Sequence, residues 1–201
     1  MTIRQIQQIS DAHCGPAVVQ MLLETAGVTA DQTTITQAAG AEATIERYGV
    51  AVEQMAQAVV KLAPHLKFLY KYRASLDDLR WVLDQGYGAG VEWQGLFYNS
   101  VEEEEAEEGK YFDGRGHYSV ITEVDDERGV AVIVNPYRDF VGRDQVLPIE
   151  LFLRRWWDFN ELENPSARTK DWIIDERLLF LVAPWEDYIP AQRGFKVFNE
   201  G

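Results

Sequence analysis

Cys14 is the only cysteine among 201 residues, and it opens the stretch "CGPAVVQMLLETAG". A lone cysteine has no internal disulfide partner. It is either a small buried hydrophobe or a thiol with chemistry to do. Its place favours chemistry, because the unpaired N–H groups and the dipole at a helix start stabilise a thiolate. Thiolate sulfur is the form that attacks a carbonyl carbon. Such a nucleophile needs a base, and the chain has three histidines. His13 adjoins Cys14, but at a helix start its ring points elsewhere, which suits a surface or supporting group. His65 follows Pro64 at a helix end, where a capping or surface role fits. His117 follows "GRG" and begins the apolar run "HYSVITEV", so a polar ring stands at the mouth of a buried strand. The alternative for His117 is a hydrogen-bonded structural histidine. Asn135, in "NPY", could hold the imidazole in one tautomer, the third role in a triad. An oxyanion also needs donors. The Cys14 backbone N–H and the side-chain amide of Gln8, six residues upstream, are the candidates.

These residues require particular elements. In "GPAVVQMLLETAG", Pro16 suits a first helical turn and Gly27 the position past the end. Val18, Val19, Met21, Leu22 and Leu23 leave little polar face, so this helix is central and buried. "VAVEQMAQAVVKLAP" is a second helix, stopped by Pro64. "SLDDLRWVLDQG" is a third, with Ser75 and Asp78 in capping-box spacing. "LKFLYKY", "AGVEW", "HYSVITEV", "GVAVIVNPY" and "RLLFLVAPW" read as strands, and "DDERG" as the turn that returns Asn135 toward His117. "PIELFLRRWWDF" reads as a short helix begun by Pro148. Helices first and antiparallel strands later make the fold class α+β. No linker or repeat divides the chain, so residues 1–201 read as a single domain.

The totals bound the partners. With 19 basic and 33 acidic residues the net charge is −14, which argues against nucleic acid and against anionic membrane surfaces. The N-terminal stretch has no apolar run of signal-peptide length, and no run approaches the ~20 apolar residues of a membrane span. One cysteine fits a reducing compartment, so the expected location is cytoplasmic, without membrane insertion. No cofactor or metal site is indicated: His13, Cys14 and His117 lack metal-ligand spacing. Six glutamates between 102 and 108 read as a solvated loop before His117. The strands "AGVEW" and "HYSVITEV" on either side of that loop are expected to flank the cleft, with the loop arching near its rim. Trp156 and Trp157 suit either core or groove.

Gln8, then "CGPA" opening a helix, then Gly116-His117-Tyr118 opening a strand, then Asn135-Pro136-Tyr137 after a hairpin, resembles the bacteriocin-processing, double-glycine-leader type of papain-like cysteine peptidase. "ERYGV", "SLDDLRWVLDQGYGAGVEW" and "PIELFLRRWW" are similar to further segments of that family, so the resemblance spans roughly residues 5–183. It implies a papain-like fold: an N-terminal helical part with a central buried helix carrying Cys14, and a C-terminal antiparallel sheet carrying His117 and Asn135. It implies Cys14 as nucleophile, His117 as general base and acid, Asn135 as orienter and Gln8 as oxyanion donor. Many relatives have Asp where this chain has Asn135, whereas papain uses Asn. Relatives that process leaders are commonly fused to a transporter, and this chain reads as stand-alone.

Three activities share these residues. The first is a thiol hydrolase that cuts a peptide or amide bond through an acyl-enzyme. The second is a peptidyl or acyl transferase with the same intermediate. The third is a silent relative that only binds peptide. The substrate, its cleavage motif and the oligomeric state are not specified by the sequence.

Overall fold

The computed structural model describes residues 2–94, 98–106, 116–162 and 171–198. The first helix, α1 (Cys14–Thr25), carries nine buried residues out of twelve. A helix apolar on nearly every side has to lie inside the molecule. It ends as expected, with Gly27 at φ +78°, a conformation that side chains avoid. Two short helices follow, α2 (Gln32–Ala38), N-capped by Asp31, and α3 (Ile45–Tyr48). The amphipathic α4 (Val52–Leu62) then buries Val52, Met55, Ala56 and Val59. After strand β1 (Leu66–Lys71), α5 (Leu76–Asp84) starts at the Ser75–Asp78 capping box.

The remaining elements are β2 (Ala89–Trp93), α6 (Val101–Ala106), β3 (His117–Asp125), β4 (Val130–Val134), β5 (Gln145–Pro148), α7 (Ile149–Arg155), β6 (Trp157–Leu162), β7 (Asp171–Glu176), β8 (Leu179–Pro184) and β9 (Lys196–Val197). Seven strands form one antiparallel sheet in the order β5-β4-β3-β2-β8-β1-β9, and β6 pairs with β7 in a separate hairpin. Strand alternation sends Phe68, Val120, Phe180 and Val182 to one face, where α1, α2 and α4 pack. Leu69, Val91, Ile121, Leu179 and Leu181 go to the other, under α5 and α7. The α+β class and the expected buried position of α1 are both present.

Three expectations change. β2 and β3 are hydrogen-bonded neighbours, with Trp93 opposite His117, so no cleft runs between them. The acidic run is not simply a solvated loop. Val101–Ala106 is helical, and Glu104 is buried between Arg154 (2.7 Å) and Arg155 (2.6 Å) of α7. Glu107 and Glu108 lie outside the described residues. The helix at Pro148 stops at Arg155, because Trp157 already belongs to β6. Trp156 is core, its Nε1 donating to the Leu178 carbonyl at 2.8 Å. Trp157 lines an open groove of about 450 Å³ with Arg73, Ile174 and Arg177.

Candidate active site

Cys14 is the first residue of α1 and faces β3. The backbone N–H groups of Tyr118 and Gly15 point at its sulfur. Helix and strand meet closely here. A Cβ on Gly15 would come within 3.1 Å of Met55 Sδ and 3.4 Å of the Tyr118 ring. Glycine after the cysteine therefore lets the helix start seat against the strand that begins with His117.

His117 and Asn135 are brought together directly. The turn after β3 returns β4 alongside it, with Val120 opposite Val134, so positions 117 and 135 fall near each other on paired strands. His117 Nε2 donates to Asn135 Oδ1 at 2.8 Å. Asn135 is fully buried, and each end of its amide has a partner. Oδ1 also accepts from the Tyr137 N–H at 2.9 Å, and Nδ2 donates to Gln145 Oε1 at 2.7 Å. A ring that donates from Nε2 carries its lone pair on Nδ1.

Gln8 joins this group through its backbone, its N–H donating to the Pro136 carbonyl at 2.9 Å. Its buried side chain donates from Nε2 to the Ser10 carbonyl at 2.8 Å. Two glutamines that the sequence reading did not select hold this N-terminal segment. Gln32 on α2 bonds both the Gln7 carbonyl (2.9 Å) and the Ile9 N–H (3.0 Å). Gln5 bonds the carbonyls of Asn135 (2.7 Å) and Phe140 (2.6 Å) and the N–H of Gly142. Glutamines in an extended polar segment carry no sequence signal for this work, because their partners are up to 137 positions away.

Neither of the other two histidines bonds the Asn135 side chain, whose partners among the described residues are His117, Tyr137 and Gln145. His65 is exposed in the turn before β1. His13 is not a surface group: it is buried at the N-cap position of α1, and its Nδ1 lies 2.7 Å from Ser10 Oγ.

Burial governs the electrostatics. It pushes the Cys14 thiol up to about 11, against the backbone N–H groups that favour thiolate. Desolvation thus opposes the helix-start contribution to a thiolate. Burial also pushes His117 down to about 4, against the Asn135 hydrogen bond that favours its charged form. Both shifts favour the uncharged forms, a thiol and a neutral imidazole.

A second buried group adjoins the sulfur. Glu92, Asp158 and Tyr118 are all at least nine-tenths buried. Burial and the neighbouring Asp158 hold Glu92 well above the ordinary carboxylate range, and Tyr118 hydrogen-bonds to it. Burial raises Asp158 to about 6, opposed by hydrogen bonds from Phe159 N–H, Glu92 and Gln94. The two carboxyls titrate as a pair, with Glu92 the more strongly held toward its protonated form. Gly116 makes room for it, since a Cβ there would overlap the Asp158 carboxylate.

The architecture is that of a papain-like cysteine peptidase, a helix carrying the cysteine set against an antiparallel sheet carrying the histidine. The chain belongs to the Peptidase_C39 like family, which it matches over residues 1–163, and it is accordingly an enzyme of the cysteine peptidase class. No curated protein matches it. Among solved structures it is similar to the peptidase domain of Streptococcus ComA, a bifunctional ABC transporter involved in a quorum-sensing pathway. That likeness has TM-score 0.60 and 15% identity, over 91% of this chain and 99% of that one. It is also similar to a double-glycine-motif protease from an AMS/PCAT transporter in complex with the leader peptide (TM-score 0.57, 15% identity, 91% and 92% covered). A third likeness is to a C39-like peptidase from Bacillus anthracis (TM-score 0.58, 20% identity, 77% and 89% covered). Among the described residues, no helix is long and apolar enough to cross a membrane.

Proposed function

We propose that this peptidase cuts a peptide bond through an acyl-enzyme on Cys14, with His117, Asn135 and Gln8 completing the site. The observation that carries the reading is the His117–Asn135 hydrogen bond, made beside the N–H that meets the cysteine sulfur. It leaves His117 Nδ1 as the basic nitrogen. With burial favouring the uncharged forms of both groups, proton transfer accompanies attack: Sγ bonds to the carbonyl carbon while its proton passes to Nδ1. The oxyanion is held by the Cys14 N–H and by the Gln8 Nε2 proton not given to Ser10. The C–N bond then breaks, and His117 returns the proton to the departing amine. Water, deprotonated by the same imidazole, cleaves the thioester and frees Cys14. Asn135 keeps the ring in its tautomer throughout.

A solved relative in fold is held with a leader peptide, which supports a peptide as the substrate class here. A single thiol suits a reducing compartment, so we place the reaction in the cytoplasm. The test is digestion of a proteome-derived peptide library, with new termini read by mass spectrometry. Wild-type protein should generate a consistent set of termini. Cys14→Ala should generate none, and Gln8→Ala should lose rate on the order of 10²-fold, as for one oxyanion donor. Cleavage by Cys14→Ala at the same bonds would overturn the assignment.

A further inference from the structure

Asn135 presents His117 with a carboxamide, and a carboxamide has two unlike ends. With Oδ1 toward the ring, Nε2 carries the proton and Nδ1 can act as base. Turned over, Nδ2 would force the opposite tautomer and remove the base. Something has to commit the amide to one orientation.

From the geometry we infer that Gln145 is a positioning residue of this site: by accepting from Asn135 Nδ2 it commits Oδ1, and with it the His117 tautomer, to the productive arrangement. The inference rests on the reading of His117 as base. Gln145 begins β5, opposite Ile133 and diagonal to Asn135 across the β4–β5 pair. It is 4% exposed, and its Oε1 takes the Asn135 Nδ2 hydrogen at 2.7 Å. At the other end of the amide the Tyr137 N–H donates to Oδ1. The Tyr137 donor and the Gln145 acceptor favour the same orientation, and Gln145 supplies the acceptor for Nδ2. The backbone of Asn135 is fixed separately, by Gln5 on its carbonyl, so Gln145 acts on the side chain alone. Gln145 Nε2 is itself buried without a hydrogen-bond partner. An orphaned buried donor is costly, and an apolar side chain of similar size would avoid that cost. What glutamine contributes here is its oxygen.

The experiment compares Gln145→Met, close to glutamine in volume but without a carbonyl acceptor, with Gln145→Glu, which keeps an acceptor at that point. Two readouts are taken at pH 7 on the full chain. One is the ¹⁵N pattern of labelled His117. The other is kcat and KM on a peptide that the wild-type protein cleaves from the library. Wild type should show a proton on Nε2 and none on Nδ1. Gln145→Glu should keep that pattern and most of kcat. Gln145→Met should show mixed tautomers and a kcat about ten-fold lower or worse, at nearly unchanged KM, in the direction known for a triad whose tautomer is lost. A space-filling role requires the reverse order, with Met tolerated and a buried charge harmful. That order, or equal loss in both variants, overturns the inference. If Gln145→Met does not fold, the Glu arm decides: loss of the Nε2–H pattern there overturns it, and retention supports it. A failure of the base assignment looks different, as His117→Ala would then cleave peptide at the wild-type rate.

Discussion

Burial favours the uncharged forms of both Cys14 and His117, and this bears on how the thiol behaves before substrate arrives. With its pKa near 11, Cys14 carries about 100-fold less thiolate at pH 7 than an ordinary thiol at 9, and its higher basicity returns about ten-fold in nucleophilicity. We therefore expect iodoacetamide to modify Cys14 about ten-fold more slowly than free cysteine. Its rate should climb with pH past 9, without a plateau near 6. Mass spectrometry checks this directly, since the chain has one thiol; a plateau near pH 6 would show a resting ion pair instead. The same shifts bear on stability. A buried neutral histidine near 4 binds its proton more weakly folded than unfolded. That contribution is present above about 6.5 and is lost as pH falls below it. His117→Gln should flatten the acid side of the stability profile between pH 6.5 and 4, as read by urea midpoints. The placing of His117 beside Asn135 was legible in the sequence, because one hairpin turn fixes both. The protonation state was not, because it depends on the desolvation that α1 and β3 impose together. The Glu92–Asp158 pair was likewise hidden, its members being 66 positions apart on separate elements.

Where an element carries a strong period or a cap, the sequence was sufficient. α1, α4 and α5 begin and end within a residue or two of expectation, set by Gly27, Pro64 and the Ser75–Asp78 box. α2 and α3 span seven and four residues, too few for a period to register. The β6–β7 hairpin was missed because Trp156 and Trp157 continue the apolar pattern of α7, although only Trp156 packs as core. The acidic run was misread because charge composition ignores the two arginines that wait in α7. Glu104 and Arg155 have side chains only 9% and 11% exposed. Removing one partner of such a pair strands a buried charge. Arg155→Met should cost about 2–4 kcal/mol in urea unfolding, with Arg154 limiting the loss, and Glu104→Gln added to it should restore most of that. Additive losses in the double variant would show that the ion pair does not tie α6 to α7.

Across the whole molecule, β8 holds the sheet together. It lies between β2 and β1, pairing with both, although it follows every residue of the candidate site in sequence. The family match ends at residue 163, before β8 begins. A chain truncated there would leave β1 and β2 as unpaired edges over an open core. We expect it to be insoluble, or to lack the cooperative thermal transition of the full chain in circular dichroism; a cooperative transition near that of the full chain would show that β8 is dispensable. The late position of β8 also governs timing during synthesis. Cys14, His117 and Asn135 all precede β8 in the chain, so during synthesis they emerge before the sheet is complete. If the truncated chain fails as expected, peptide cutting has to await the synthesis of β8, the last strand to join the middle of the sheet.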